Sequence, residues 1–162
     1  MEKLEVALLE QLLAAYRAKG LRIATAESCT GGLIAANLTA IAGSSDVVER
    51  GFVTYSNEAK SELLGVPSAL IEDCGAVSSE VARAMAEGAL EQSLADVAVS
   101  VTGIAGPGGA TATKPVGLVH LAIARKGRPT HDEHYIFSGG REEVRGAALA
   151  KGLELLSAAI ED

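Results

Sequence analysis

The chain has 162 residues, a net charge of −7 and a 48% hydrophobic composition with no Trp, two Phe and three Tyr. That length suits one domain that buries roughly two thirds of its unfolded surface, around a core that must come from Ala, Val, Leu and Ile. The acidic balance lacks the footprint of a direct nucleic-acid binder, and no apolar run of about 18 residues offers a membrane span.

Residues 2–19 carry Leu4, Leu8, Leu9, Leu12, Leu13 and Tyr16 on one stripe, which predicts an amphipathic helix ended by Gly20. Glu2, Lys3, Glu5 and Glu10 in the same stretch argue against a signal-peptide core. A strand is expected at 21–26 and a helix at 30–41, with Leu33, Ile34, Asn37, Leu38 and Ile41 inward. After a loop at 43–46, residues 47–56 read as a long strand with a bulge at Gly51. Short helices follow at 57–64 and 68–74, and Ser79 is expected to cap a helix at 80–94 whose buried side includes Met85, Ala89 and Leu94. A strand at 96–102 empties into a glycine-rich loop, 103–115. Strands at 116–125 and 130–137 flank a turn at 127–129, and the last helix spans 141–160. Strands alternating with helices predict an α/β layered domain, and the late hairpin makes its sheet mixed.

Three segments end strands, where loops of an open α/β sheet gather into sites. In the first, Thr25–Gly32 (TAESCTGG), Ser28 stands at a strand–turn–helix junction as a candidate nucleophile. The N–H groups of Cys29, Thr30, Gly31 and Gly32 are its candidate oxyanion donors, because a first helical turn leaves its amides unpaired. Ser28 or Thr30 acting simply as a helix cap explains the same pattern. Cys29 is an alternative nucleophile, although adjacent residues do not usually face one site together.

The second segment (TYSNEAK) offers Tyr55 and Lys60. If Ser56 or Asn57 caps the following helix, Lys60 sits in its first turn, where the dipole lowers a lysine pKa toward that of a usable base. A solvated surface lysine is the plainer alternative. The third segment (TGIAGPGG) sets Thr102, Gly103 and Gly106 in a loop whose backbone can approach a ligand closely, or which is only a mobile turn. It has neither the Walker nor the dinucleotide spacing. Arg141 and Arg145, four apart on one helix face, suit a phosphate or carboxylate, or else pair with Glu142 and Glu143.

Cys29 and Cys74 lie far apart without metal spacing, which predicts reduced, cytoplasmic thiols. His131 and His134 are three apart, on opposite faces of a strand, and with His120 read as exposed residues of the hairpin. A Ser-His-Asp triad remains open, since its members need not be sequence neighbours. No metal and no cofactor is expected.

Taken together, TAESCTGG, GSSDVVERGFVTYSNEAK (43–60), GAVSSE (75–80), VTGIAGPGG (101–109), KPVG (114–117) and GREEVR (140–145) resemble the CinA C-terminal domain family, of the nicotinamide-nucleotide amidase type. The stretches cover nearly the whole chain in the family's order. The resemblance implies a three-layer α/β/α sandwich, a homodimer or larger, acting on a small-molecule nucleotide. It implies hydrolysis of nicotinamide mononucleotide to nicotinate mononucleotide and ammonia, with Ser28 as nucleophile, Lys60 and Tyr55 assisting, and Thr102 and Arg145 as further site positions. The family occurs free-standing or behind a larger N-terminal domain, and this chain, starting at its own Met, resembles the free-standing form. The family's name also admits a non-catalytic nucleotide-binding or interaction module in competence or DNA-damage responses.

Overall fold

The computed structural model describes residues 3–161, with side chains from Glu5 onward. The elements are α1 (Lys3–Lys19), β1 (Ile23–Glu27), α2 (Leu33–Thr39), β2 (Val48–Val53), α3 (Asn57–Leu64), α4 (Ser68–Cys74), α5 (Ser79–Glu91), β3 (Val97–Gly103), β4 (Leu118–Arg125), β5 (His131–Ile136) and α6 (Arg141–Ala158). Leu4 of the first stripe, and Glu2 and Lys3 beside it, lie outside the described side chains. The five strands form one sheet in the order β2-β1-β3-β4-β5. β1 runs parallel to β2 and β3, whereas β4 is antiparallel to both of its neighbours, so the sheet is mixed.

Side-chain alternation assigns the two faces. Ile23, Val97, Val99, Val101, Val119 and Leu121 point to one side, against Leu9, Leu13 and Tyr16 of α1, Ile34 and Leu38 of α2, and Val144 and Leu156 of α6. Ala24, Ala26 and Ala98 point to the other, where Leu64, Ile71, Val81 and Met85 bring α3, α4 and α5 onto the sheet. The small alanines let α5 approach closely. Both faces are covered, so β1 is buried at all five positions and its burial does not alternate. Tyr16 is wholly buried and satisfies its hydroxyl by donating to Leu156 O at 2.6 Å.

Several expectations shift. The bulge is at Glu49: Ile23 pairs with Val48 and Ala24 with Arg50. Gly51 stays in register opposite Thr25, and it is glycine because a Cβ there would meet Thr25 Oγ1 at 2.7 Å. α5 is capped by Ser78, whose hydroxyl accepts from Val81 N–H, while the Ser79 hydroxyl instead faces His120 Nδ1 at 3.4 Å. α5 ends at Glu91, which leaves Leu94 in the following turn and 61% exposed. Leu8 is likewise exposed, and of the inward set on α2 only Ile34 and Leu38 are fully buried. His120 is buried, not exposed, because its ring lies between Ser79 of α5 and the His134 ring, 5.2 Å away on the paired strand.

Candidate active site

Parallel pairing puts the C-terminal ends of β1, β2 and β3 on one sheet edge. Ser28 follows β1 directly and is tied to β3 by its N–H, which donates to Val101 O at 2.9 Å. Two residues later the chain must leave an extended strand and enter a helix. Gly31 (φ +59) and Gly32 (φ +106) supply the left-handed backbone that this turn needs. That conformation is why α2 starts at Leu33 and not at residue 30.

Lys60 comes to the same point from α3. Ser56 caps that helix by accepting from Ala59 N–H, which leaves Lys60 at the end of the first turn, 1% exposed. Its Nζ lies 3.0 Å from Ser28 Oγ and donates to the carbonyls of Thr54 (2.9 Å) and Tyr55 (3.3 Å). Among the described residues, no carboxylate forms an ion pair with it. Burial pushes its pKa below the ordinary lysine value, against a smaller opposing effect from Cys29. A neutral amine has two N–H groups and one lone pair. Such an amine can donate to Thr54 O and turn its lone pair to the Ser28 hydroxyl, its two nearest partners at 2.9 and 3.0 Å, with the carbonyls of Tyr55 (3.3 Å) and Ser56 (3.5 Å) farther off, so the geometry suits a base for Ser28.

The cavity over this pair is about 220 Å³. Ser28, Cys29, Lys60, Thr102 and Gly103 line it from the strand ends, and Tyr55 and Arg141 also contribute to its walls. The Tyr55 phenol accepts from Arg141 Nη2 at 3.1 Å; only the Tyr55 carbonyl reaches Lys60. Arg141 Nη1 donates to Gly106 O at 2.9 Å, so Gly106 takes part by holding the arginine. Thr102 donates to Ala76 O at 2.9 Å. Thr30, Gly31, Gly32 and Arg145 lie off the cavity wall. Arg145 grips the turn from behind, with Nε to Cys29 O and Nη2 to Thr30 O, both at 3.1 Å.

Sequence reasoning missed Glu27. It is fully buried, and its carboxylate accepts from the Thr30 hydroxyl (2.6 Å), Ile34 N–H (2.9 Å) and Ala35 N–H (3.1 Å). The start of α2 is thereby occupied and is not an open anion site. Gly31 N–H is also consumed, by Ser28 O. Of the four expected oxyanion donors, Cys29, Thr30 and Gly32 keep N–H groups without a backbone partner among the described residues. The signal for Glu27 was faint: its amide partners lie seven and eight residues ahead, beyond a turn. Asn57, Ala76, Val77 and Ala105 complete the lining. Lys114 holds that region by donating to Cys74 O and Val77 O, both at 2.6 Å.

Burial pushes the Cys29 thiol up to about 11, so it is protonated at neutral pH. Among the described residues no group of three or more His, Cys, Asp or Glu is placed to hold a metal ion, and no helix is long and apolar enough to cross a membrane.

The chain is similar to known proteins in sequence and in fold. A CinA-like protein of Citrifermentans bemidjiense is 52% identical over 147 residues, 91% of this chain and 35% of that protein. A nicotinamide-nucleotide amidohydrolase PncC of Enterobacter agglomerans is 54% identical over 141 residues, 87% of this chain and 86% of that one. The chain thus spans about a third of the length of the CinA-like relative but most of the amidohydrolase. Among solved structures, the competence/damage inducible protein CihA of Agrobacterium tumefaciens superposes with a TM-score of 0.94 at 49% identity, covering 97% of this chain and 96% of that one. With the CinA C-terminal domain model matching residues 5–160, the chain belongs to the CinA C-terminal domain family.

Proposed function

We propose that this chain hydrolyses the carboxamide of nicotinamide mononucleotide, releasing ammonia and nicotinate mononucleotide, through a Ser28 nucleophile and a Lys60 base. The observation that carries this reading is the 3.0 Å approach of a buried Lys60 Nζ, lacking a carboxylate partner, to Ser28 Oγ at the floor of a cavity. The amidohydrolase relative supports the substrate.

Neutral Lys60 takes the Ser28 proton as Oγ adds to the carboxamide carbon, and the C=O π pair moves to oxygen. Lys60 then returns the proton to nitrogen as the C–N bond breaks and ammonia leaves. Water, activated by the same amine, hydrolyses the acyl ester and regenerates Ser28. Arg141 is a guanidinium on the cavity wall with donors to spare beyond Gly106 and Tyr55, which suits the 5′-phosphate. Tyr55 sets the angle of that arginine.

The test is ammonia release from nicotinamide mononucleotide by the wild type and by Ser28→Ala, Lys60→Met and Lys60→Arg. Loss of a general base costs roughly 10²–10⁴ in rate. Arginine keeps the charge but cannot give up a proton, so it should be nearly as damaging as methionine. A wild type that releases no ammonia would overturn the substrate. A Lys60→Arg variant within about threefold of the wild type would leave Lys60 as a binding charge only.

A further inference from the structure

Resting on that reading, we infer that Arg145 and Glu27 are positioning residues which together aim the Cys29 N–H at the carbonyl oxygen of the substrate, and that Arg145 does not touch substrate. The peptide plane decides the direction. In a trans peptide, C=O and N–H point oppositely. Ser28 O is held by Gly31 N–H, which fixes the Ser28–Cys29 plane and turns Cys29 N–H the other way. The next two carbonyls, Cys29 O and Thr30 O, are both held by one planar guanidinium. Its rigid fork makes two donations that a lysine cannot reproduce together. On the side-chain side, Glu27 fastens Thr30 through its hydroxyl and joins it to the first amides of α2.

The turn is therefore locked at every carbonyl from Ser28 to Thr30 and at the Thr30 side chain. Cys29 N–H has no backbone acceptor among the described residues, and Cys29 lines the cavity beside Ser28. The residue after a nucleophile at a strand–turn–helix junction supplies the oxyanion donor in other hydrolases built this way. Here two side chains of opposite charge, neither lining the cavity, preset it. Glu27 also answers the α2 dipole that an oxyanion would otherwise use.

The experiment compares Arg145→Lys, Thr30→Val and Glu27→Gln with Arg141→Lys in the full chain. Readouts are kcat and KM on nicotinamide mononucleotide, the melting temperature, and the rate at which a fluorophosphonate probe labels Ser28, followed by intact mass. In labelling, Ser28 Oγ bonds phosphorus, the P–F bond breaks, fluoride leaves and Lys60 takes the proton. The phosphoryl oxygen then needs the same N–H. Removing an oxyanion donor outright costs about 10²–10³ in kcat. Misaiming one should cost tenfold or more in kcat and in labelling rate, with KM within twofold. Arg141→Lys should instead raise KM and leave labelling within twofold. Should Glu27→Gln fail to fold, Thr30→Val and Arg145→Lys carry the test. Arg145→Lys with unchanged kcat, or with raised KM at constant kcat, overturns the proposal. If the wild type labels at Ser28 yet releases no ammonia, the substrate assignment has failed, and the labelling ratios still decide between positioning and its absence.

Discussion

Ser28 and Cys29 are neighbours that both line the cavity, and thiols are ordinarily the better nucleophiles, so the choice between them rests on protonation. The Cys29 thiol is buried and pushed up to about 11, whereas Ser28 has an amine at 3.0 Å to take its proton. The thiolate reacts and the thiol does not. We expect Cys29→Ala to keep at least half of wild-type kcat. We also expect iodoacetamide at pH 7.5 to modify Cys74, which is more accessible, before Cys29 and without inactivation. Inactivation that tracks alkylation of Cys29, mapped by peptide mass, would move the nucleophile. That Ser28, Tyr55 and Lys60 gather at one cavity was legible because strand ends can be read from sequence and Ser56 announces a cap, whereas the Tyr55 phenol turns to Arg141 and not to Lys60. The mutual distances of the three were not legible, and neither was the separation of duties between Arg141 and Arg145. Four residues of helix spacing put both on one face, but Arg141 reaches Gly106 and Tyr55 while Arg145 reaches the Cys29 turn.

α3 owes its place, and so Lys60 its reach, to a glycine on another helix. A Cβ on Gly88 of α5 would stand 1.9 Å from Leu64 O, at the end of α3. In an open helix, Gly→Ala stabilises by roughly 0.5–1 kcal/mol. At Gly88 the clash wins, because the obstructing atom is backbone and can move only with its helix. Gly88→Ala should lose about 1–3 kcal/mol, the usual cost of overpacking, and should lower kcat by carrying Lys60 away from Ser28. Gly146→Ala in α6 is the counterpart: nothing lies within 4 Å of its Cβ, so urea midpoints should rise. A Gly88→Ala variant as stable as the wild type would show that α3 is not fixed by this contact. The apolar stripe of α5 was readable from its spacing, with Val81, Ala82, Met85 and Ala89 buried. The role of Gly88 was not, because an isolated glycine in a helical pattern does not reveal what approaches it.

For the molecule as a whole, alternating strands and helices disclosed a layered α/β fold and the hairpin disclosed a mixed sheet, since both are periodic or local signals. The strand order, with β3 central between β1 and β4, depends on pairing between distant segments and was not readable. That order is what buries Lys60 among elements from three strand ends, and the burial carries a global consequence. An unfolded lysine titrates near about 10.4. The folded Lys60 titrates lower, because burial opposes its charge. Between the two values the unfolded chain holds more protons than the folded one, so stability must rise with pH across that window. Below the folded value both states are charged, and the fold bears the full cost of an ammonium without a carboxylate. Lys60→Met removes the titration. The methionine variant should therefore gain most over the wild type at low pH, and its advantage should shrink as pH rises through the folded Lys60 value. The same ionisation should make wild-type kcat climb with pH, since only the neutral amine can accept the Ser28 proton. Urea denaturation of both proteins from pH 6 to 10, beside wild-type kcat over that range, checks the two together. A stability difference that does not change with pH, or a rate limb displaced from it, would separate Lys60 from the base role.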